Sequence, residues 1–218
     1  MLQNILIKPA SGLCNMRCDY CFYCDEATKR NIPSYGMMEE KTIKNIIRKV
    51  LRQNVKNVCF AFQGGEPTLR GQDFFEKVIE LENQYNTHHC SILNSLQTNG
   101  LCIDENWCSF FQKMHNFLVG VSVDGIESVH NLYRHDKNEQ GTYHRIRENI
   151  KLLEKYNVEY NILTVVNRQV AENIKQILQR VPRKRLELST IYPLPLTPWG
   201  NSKVKKNILL RLRFMGNS

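Results

Sequence analysis

The sequence predicts an α/β fold: a parallel sheet with its helices on the outside. Short apolar runs rich in β-branched and aromatic residues recur along residues 1–179, and a segment with helical spacing of its apolar residues follows each one. The connections are short, as in repeated βα units. Five such units are visible, fewer than the eight of a closed barrel, and residues 181–218 do not continue the pattern.

Strands are predicted at Asn4–Lys8, Val55–Phe62, Ser91–Gln97, Phe117–Val123 and Glu159–Val165. Between the first two, Glu39–Arg52 places Ile43, Ile46, Ile47, Val50 and Leu51 on one helical face. Asp73–Tyr85 does the same with Phe74, Phe75, Val78, Ile79 and Leu81. Further helices are predicted at Asp104–Met114, Tyr143–Tyr156 and Gln169–Gln179, two of them with Asp or Asn near the start.

Composition narrows the function classes. At 218 residues and 42% hydrophobic, the chain can bury one sizeable core. Its longest apolar run, Phe117–Val123, is too short to cross a bilayer, and Leu2–Ile7 is too short for a signal-peptide core. A cytoplasmic location and no membrane partner are the expectation. In a reducing compartment the eight cysteines are not expected to form disulfides, and clustered ones read as metal ligands.

The net charge of +9 suggests a nucleic-acid partner until its distribution is considered. Residues 1–179 hold 21 of the 30 basic and 20 of the 21 acidic residues, so they contribute only +1. The other +8 lies in residues 180–218, with four of the seven prolines and no cysteine. No basic face with interleaved aromatics is seen on the body, so nucleic acid is not expected as a partner.

In parallel α/β folds the chemistry sits at the carboxyl ends of the strands. The loop after the first strand is GLCNMRCDYCFYC, residues 12–24. The loops after the next three are Gln63-Gly64-Gly65-Glu66-Pro67-Thr68, Thr98-Asn99-Gly100 and the run Ser122-Val123-Asp124-Gly125. All four are polar or glycine-rich at the same edge.

The spacing of Cys14, Cys18 and Cys21 lets one tight loop turn three thiolates toward a single site. Three thiolates leave one iron of a 4Fe-4S cube without a protein ligand. Zinc is the rival, since Cys21 and Cys24 could form one knuckle, but the chain offers no matching second pair nearby. The spacing favours a cluster, with zinc and a set of buried structural thiols behind it.

The motif Cys14-Asn15-Met16-Arg17-Cys18-Asp19-Tyr20-Cys21 resembles the C-x3-C-x-aromatic-C signature of radical S-adenosylmethionine enzymes, and Gly64-Gly65-Glu66-Pro67 matches that superfamily's GGE motif. More narrowly, Ile7–Ser11, Cys21-Phe22-Tyr23, Phe60–Thr68, Asn94–Gly100 and Phe117–Gly120 resemble the anaerobic sulfatase-maturating enzymes, from about residue 5 to about residue 179. This resemblance implies a partial (β/α)6 TIM-like barrel, with residues 1–180 as its incomplete core.

The resemblance also implies cofactors and partners. Cys14, Cys18 and Cys21 would hold a 4Fe-4S cluster whose open iron chelates S-adenosyl-L-methionine. Reductive cleavage of that cofactor would release a 5'-deoxyadenosyl radical. Tyr20 would lie beside the adenine, and the Gly64-Gly65-Glu66 backbone would approach the methionine amino group, where a side chain would obstruct it. Ser122 and Arg134 would contact ribose and carboxylate, Arg134 with a bidentate grip. Gln63 and Tyr23 would face the substrate, an unfolded sulfatase polypeptide whose cysteine or serine is oxidised to formylglycine. A flavodoxin or ferredoxin would donate the electron.

Other residues read as structural. Asp124-Gly125 reads as a turn, and Ser122 and Arg134 gain a functional reading only through the resemblance. Most of Cys59, Cys90, Cys102 and Cys108 are expected to be small buried hydrophobes, and Cys24, outside the signature, a bystander. His88-His89 reads as solvated and Met37-Met38 as core.

Residues 181–218 read as an irregular basic tail, unlike a core strand and helix, as a truncation or frame disruption would produce. Such a chain would lack its sixth βα unit, and the auxiliary clusters and general-base aspartate of the family's carboxyl-terminal region would lie outside it. No catalytic residue is therefore assigned. Two alternatives remain: a radical S-adenosylmethionine enzyme modifying another peptide, and a zinc-binding protein without enzymatic activity.

Overall fold

A computed structural model describes residues 2–21, 23, 29–53, 55–180 and 186–189. Along the chain run β1 (Leu2–Ile7), β2 (Met16–Cys18), α1 (Glu40–Leu51), β3 (Asn57–Phe62) and a 3-10 turn (Pro67–Arg70). Next come α2 (Gln72–Tyr85), β4 (Ser91–Thr98), α3 (Glu105–Lys113), β5 (Phe117–Ser122), α4 (Glu127–Tyr133) and β6 (Arg134–Asp136). The remainder is α5 (Tyr143–Lys155), β7 (Tyr160–Val165), α6 (Arg168–Glu172), α7 (Ile174–Arg180) and β8 (Leu186–Ser189).

Six strands form one sheet in the order β1-β3-β4-β5-β7-β8, every neighbour parallel. Chain order and sheet order agree, as expected when each crossover turns the same way. This is the partial barrel of βα units that the sequence predicts, and all five predicted strands lie in it. The sixth strand is a correction. Leu186–Ser189, in the segment read as irregular tail, pairs with β7 through Ile162↔Leu186 to Val165↔Ser189. The basic residues around this four-residue strand mask it from a pattern reading.

The helices pack their apolar faces on the outer side of the sheet. Ile43, Ile47, Val50 and Leu51 are the buried residues of α1, spaced by three and four as a half-buried helix requires. In α2, Phe74, Phe75, Val78 and Leu81 are buried. Phe75 meets Phe62, Phe74, Trp107 and Phe117 at centroid distances of 5.1 to 6.3 Å, all close to edge-on. This aromatic cluster joins α2 and α3 to β3 and β5. Asp104 caps α3 by accepting from Trp107 N at 2.9 Å, and Asn167 caps α6 through Val170 N at 2.9 Å. The predicted helix Gln169–Gln179 is divided at Asn173 into α6 and α7. The methionine pair divides too: Met38 packs against the core, whereas Met37 is exposed.

A second, two-stranded sheet has no counterpart in the sequence reading. β2 and β6 pair antiparallel through Met16↔Asp136, Arg17↔His135 and Cys18↔Arg134. It ties the cysteine loop to the segment after β5 and sets Cys18 opposite Arg134.

Candidate active site

The cysteine loop leaves β1 through two tight turns, Ser11 N to Lys8 O at 3.2 Å and Leu13 N to Ala10 O at 2.9 Å. Cys14 precedes β2, Cys18 ends it, and Cys21 closes a further turn by donating its N–H to Cys18 O at 3.0 Å. Asp19 N donates to Tyr133 O at 3.0 Å, fastening the loop again beside β6. Three thiols are thereby held on one wall of a cavity of about 250 Å3 at the carboxyl ends of the strands. No disulfide joins any of the described cysteines.

All eleven site residues named from the sequence line this one cavity: Cys14, Cys18, Tyr20, Cys21, Tyr23, Gln63, Gly64, Gly65, Glu66, Ser122 and Arg134. Those from different loops are brought together by the parallel register of the strands. Met16, Gln97, Thr98, Asn99, Leu163, Thr164 and Val165 complete the lining. Thr98 and Asn99 lie in a loop the sequence marks as polar, while Leu163–Val165 carry no signal beyond ending a strand.

The GGE segment grips the cysteine loop. Gly65 has φ +57°, and a Cβ built there would stand 2.3 Å from Leu13 O and 3.0 Å from Ser11 O. The glycine is thus required by the protein's own backbone. Glu66 N donates to Leu13 O at 2.8 Å. The Glu66 carboxylate is buried, and burial raises its pKa against four hydrogen bonds. Oε1 accepts from Thr68 N at 3.1 Å, Thr68 Oγ1 at 2.6 Å and Thr98 Oγ1 at 2.7 Å, and Oε2 accepts from Asn99 N at 2.7 Å. Glu66 therefore binds the loops after β3 and β4 to each other.

Asp124 is more than the turn the Asp-Gly dipeptide suggests. It is fully buried and pairs with Arg134 through Nε–Oδ2 at 2.8 Å and Nη2–Oδ1 at 3.4 Å. It also accepts from Val165 N at 3.0 Å and from the Tyr20 hydroxyl. The carboxylate that the Arg134 fork meets is thus an internal one, and the two Nη1 hydrogens and the second Nη2 hydrogen are not used by it. Burial opposes the charge on Arg134, and Asp124, Tyr20 and Cys18 together more than restore it. The guanidinium lies 5.3 Å from the Tyr20 ring centroid. Burial, with Asp124 alongside, holds the Tyr20 phenol protonated. Ser122 Oγ accepts from Gln97 Nε2 at 2.9 Å, which leaves its own hydrogen to donate. Gln63 is exposed at the rim, and Tyr23 stacks under Lys8 Nζ at 4.8 Å.

The cysteines differ in their support. Burial pushes the Cys14 thiol up to about 11, against a hydrogen bond from Met16 N to its sulfur at 3.4 Å. Burial pushes Cys18 up to about 12, and the Arg134 cation opposes it. These two thiols are therefore protonated at neutral pH, and a metal must displace those protons to bind. Cys59, Cys90 and Cys108 are buried, as expected of structural thiols. Cys102 differs: it is half-buried, and its sulfur accepts from Asn15 Nδ2 at 3.3 Å. Cys24 lies outside the described residues. His88 and His89 are exposed.

The model of the Radical SAM superfamily matches residues 9–181. The chain belongs to this superfamily. A cysteine-type anaerobic sulfatase-maturating enzyme of Clostridium novyi is 48% identical over 174 residues, which are 80% of this chain and 46% of the relative. A second, from Clostridium perfringens, is 42% identical over 181 residues, 83% of this chain and 49% of the relative. A solved structure of native anSMEcpe with bound AdoMet and Cp18Cys peptide superposes with a TM-score of 0.79 at 39% identity, covering 87% of this chain and 51% of that one. The chain spans about half the length of the curated relatives it matches.

The superfamily's cofactors are a 4Fe-4S cluster and S-adenosylmethionine, and the residues present fit them. Three thiols share one cavity wall, with N–H donors and a buried cation beside them. Among the described residues, no three His, Cys, Asp or Glu side chains converge on a single ion. A cube does not require that convergence, because each cysteine would hold a different iron. No helix among the described residues is long and apolar enough to cross a membrane.

Proposed function

We propose that this chain forms the cofactor-binding half of a cysteine-type anaerobic sulfatase-maturating enzyme. The observation that carries the reading is the convergence of eleven residues from separate loops on one cavity. The 48% identity to the cysteine-type relative supports the choice of subfamily. Cys14, Cys18 and Cys21 would hold the cluster. Bound there, cluster and S-adenosylmethionine supply one-electron reductive cleavage of a sulfonium and a radical that abstracts hydrogen.

The chain's own residues bind and orient. The Arg134–Asp124 pair holds the Tyr20 phenol at the cavity wall, where its ring can bear on an adenine. Ser122 offers a hydroxyl hydrogen to a ribose, and Arg134 Nη1 a donor to a carboxylate. Gln63 and Tyr23, at the open side, would meet an extended sulfatase segment presenting a cysteine. Removal of a hydrogen from the cysteine β-carbon would begin its oxidation to formylglycine, with a small flavodoxin- or ferredoxin-type protein as the electron source.

The test uses the anaerobically reconstituted chain with S-adenosylmethionine, dithionite and a sulfatase peptide whose cysteine carries deuterium on the β-carbon. Mass spectrometry is expected to find that deuterium in 5'-deoxyadenosine. Product formed without label at saturating peptide would overturn the substrate assignment and leave the cofactor reading standing.

A further inference from the structure

The Thr98-Asn99-Gly100 loop is rigidly oriented beside one of the three cysteines. Asn99 is buried, and every polar group of its side chain is engaged. Its Oδ1 accepts from Leu101 N at 2.9 Å, so the amide orientation is set and Nδ2 must be the donor. One hydrogen on Nδ2 goes to Asn15 Oδ1 at 2.7 Å, and the other points to Cys14 Sγ at 3.6 Å, within the longer reach of a sulfur acceptor. Behind the side chain, Asn99 N donates to Glu66 Oε2 at 2.7 Å. Asn15 passes the arrangement on through its own Nδ2, which donates to Cys102 Sγ. A continuous path therefore runs from the Glu66 carboxylate through Asn99 to the Cys14 sulfur.

We propose that Asn99 is a positioning residue for Cys14, and that its N–H···S contact raises the reduction potential of the cluster Cys14 holds. The proposal rests on the reading of Cys14 as a cluster ligand. Hydrogen bonds to ligand sulfur stabilise the more negative, reduced state, and such outer partners orient the ligand they touch. Cys14 and Cys18 are then tuned by different means. Cys14 has two N–H donors, Met16 N and Asn99 Nδ2, whereas Cys18 has the Arg134 cation. Glu66 contributes at one remove by fixing the backbone that carries Asn99.

The test is an EPR-monitored redox titration of the reconstituted chain, normalised to iron content. Asn99→Ala removes the donor. Asn99→Ser also removes it but keeps an oxygen that can accept from Leu101 N, so the loop stays closed. Both are expected to shift the midpoint to more negative potential. Asn149→Ala is the structural control: Asn149 Nδ2 holds the same loop through Gly100 O at 2.9 Å and, among the described residues, has no hydrogen bond to a cysteine. It is expected to leave the potential in place. Loss of iron from both Asn99 variants, with Asn149→Ala fully loaded, would make Asn99 a residue of cluster retention and overturn the assignment of a potential to its N–H···S contact. An Asn99→Ser cluster at the wild-type potential overturns the proposal, as does an equal shift in Asn149→Ala. A wild-type chain that takes up no cluster overturns this proposal together with the reading it rests on.

Discussion

Gly65 lies against the carbonyl of Leu13 so closely that a Cβ would stand 2.3 Å from that oxygen. The same oxygen accepts from Glu66 N at 2.8 Å. The GGE segment and the cysteine loop are therefore packed backbone to backbone. Gly65→Ala must push the cysteine loop away, and we expect a loss of about 2–4 kcal/mol in urea denaturation together with reduced iron uptake. Gly36→Ala is the comparison. Gly36 also has positive φ, but nothing lies within 4 Å of its missing Cβ. It should cost only the backbone strain, about 1 kcal/mol, and leave iron uptake unchanged.

The Asp124–Arg134 pair is buried on both sides, with side-chain exposures of 0% and 8%. Asp124→Ala leaves the Arg134 charge without its partner and removes the acceptor of the Tyr20 hydroxyl. A destabilisation of about 3–5 kcal/mol is expected from urea denaturation. Adding Arg134→Met should recover much of it, since an apolar side chain of similar length replaces the stranded charge. A double variant as unstable as the single one would show that Asp124 acts chiefly through Val165 N and Tyr20.

Glu82 supplies the pH dependence. It is buried near the amino-terminal end of β4, accepts from Asn94 Nδ2 at 3.1 Å through Oε2, and makes no hydrogen bond through Oε1. Burial raises its pKa from 4.5 to about 7. A raised folded value means the group's stabilising contribution is complete below pH 4.5 and is lost as pH rises through 7. Glu82→Gln should remove a loss on the order of 3 kcal/mol across that window. Stability curves of wild type and variant that run parallel from pH 4.5 to pH 7 would contradict the assignment.

The sheet and outer helices were legible because apolar periodicity carries them. Strands such as Tyr160–Val165 bury alternate residues, and α1 buries residues three and four apart. Cys18↔Arg134 was not legible, since β2 and β6 are three residues each and lie far apart in the chain. Asp124 was hidden by its glycine neighbour, because a dipeptide common in turns gives no sign of a buried partner. Leu186–Ser189 was hidden by the basic residues around it. At the site, the cysteine spacing and the glycine pair were visible, but the ties from Glu66 to Thr98 and Asn99 appear only once the strands are in register.

We propose that Cys14, Cys18 and Cys21 hold a cluster with one iron open to S-adenosylmethionine. The most direct measurement is EPR of the anaerobically reconstituted, dithionite-reduced chain, before and after S-adenosylmethionine is added, with iron, sulfide and zinc analysis. About four irons per chain and a signal changed by the cofactor are expected. Alanine at Cys14, Cys18 or Cys21 should abolish the signal, and alanine at Cys24 or Cys102 should not. Zinc without iron, a signal indifferent to the cofactor, or equal loss on Cys24→Ala would contradict the account.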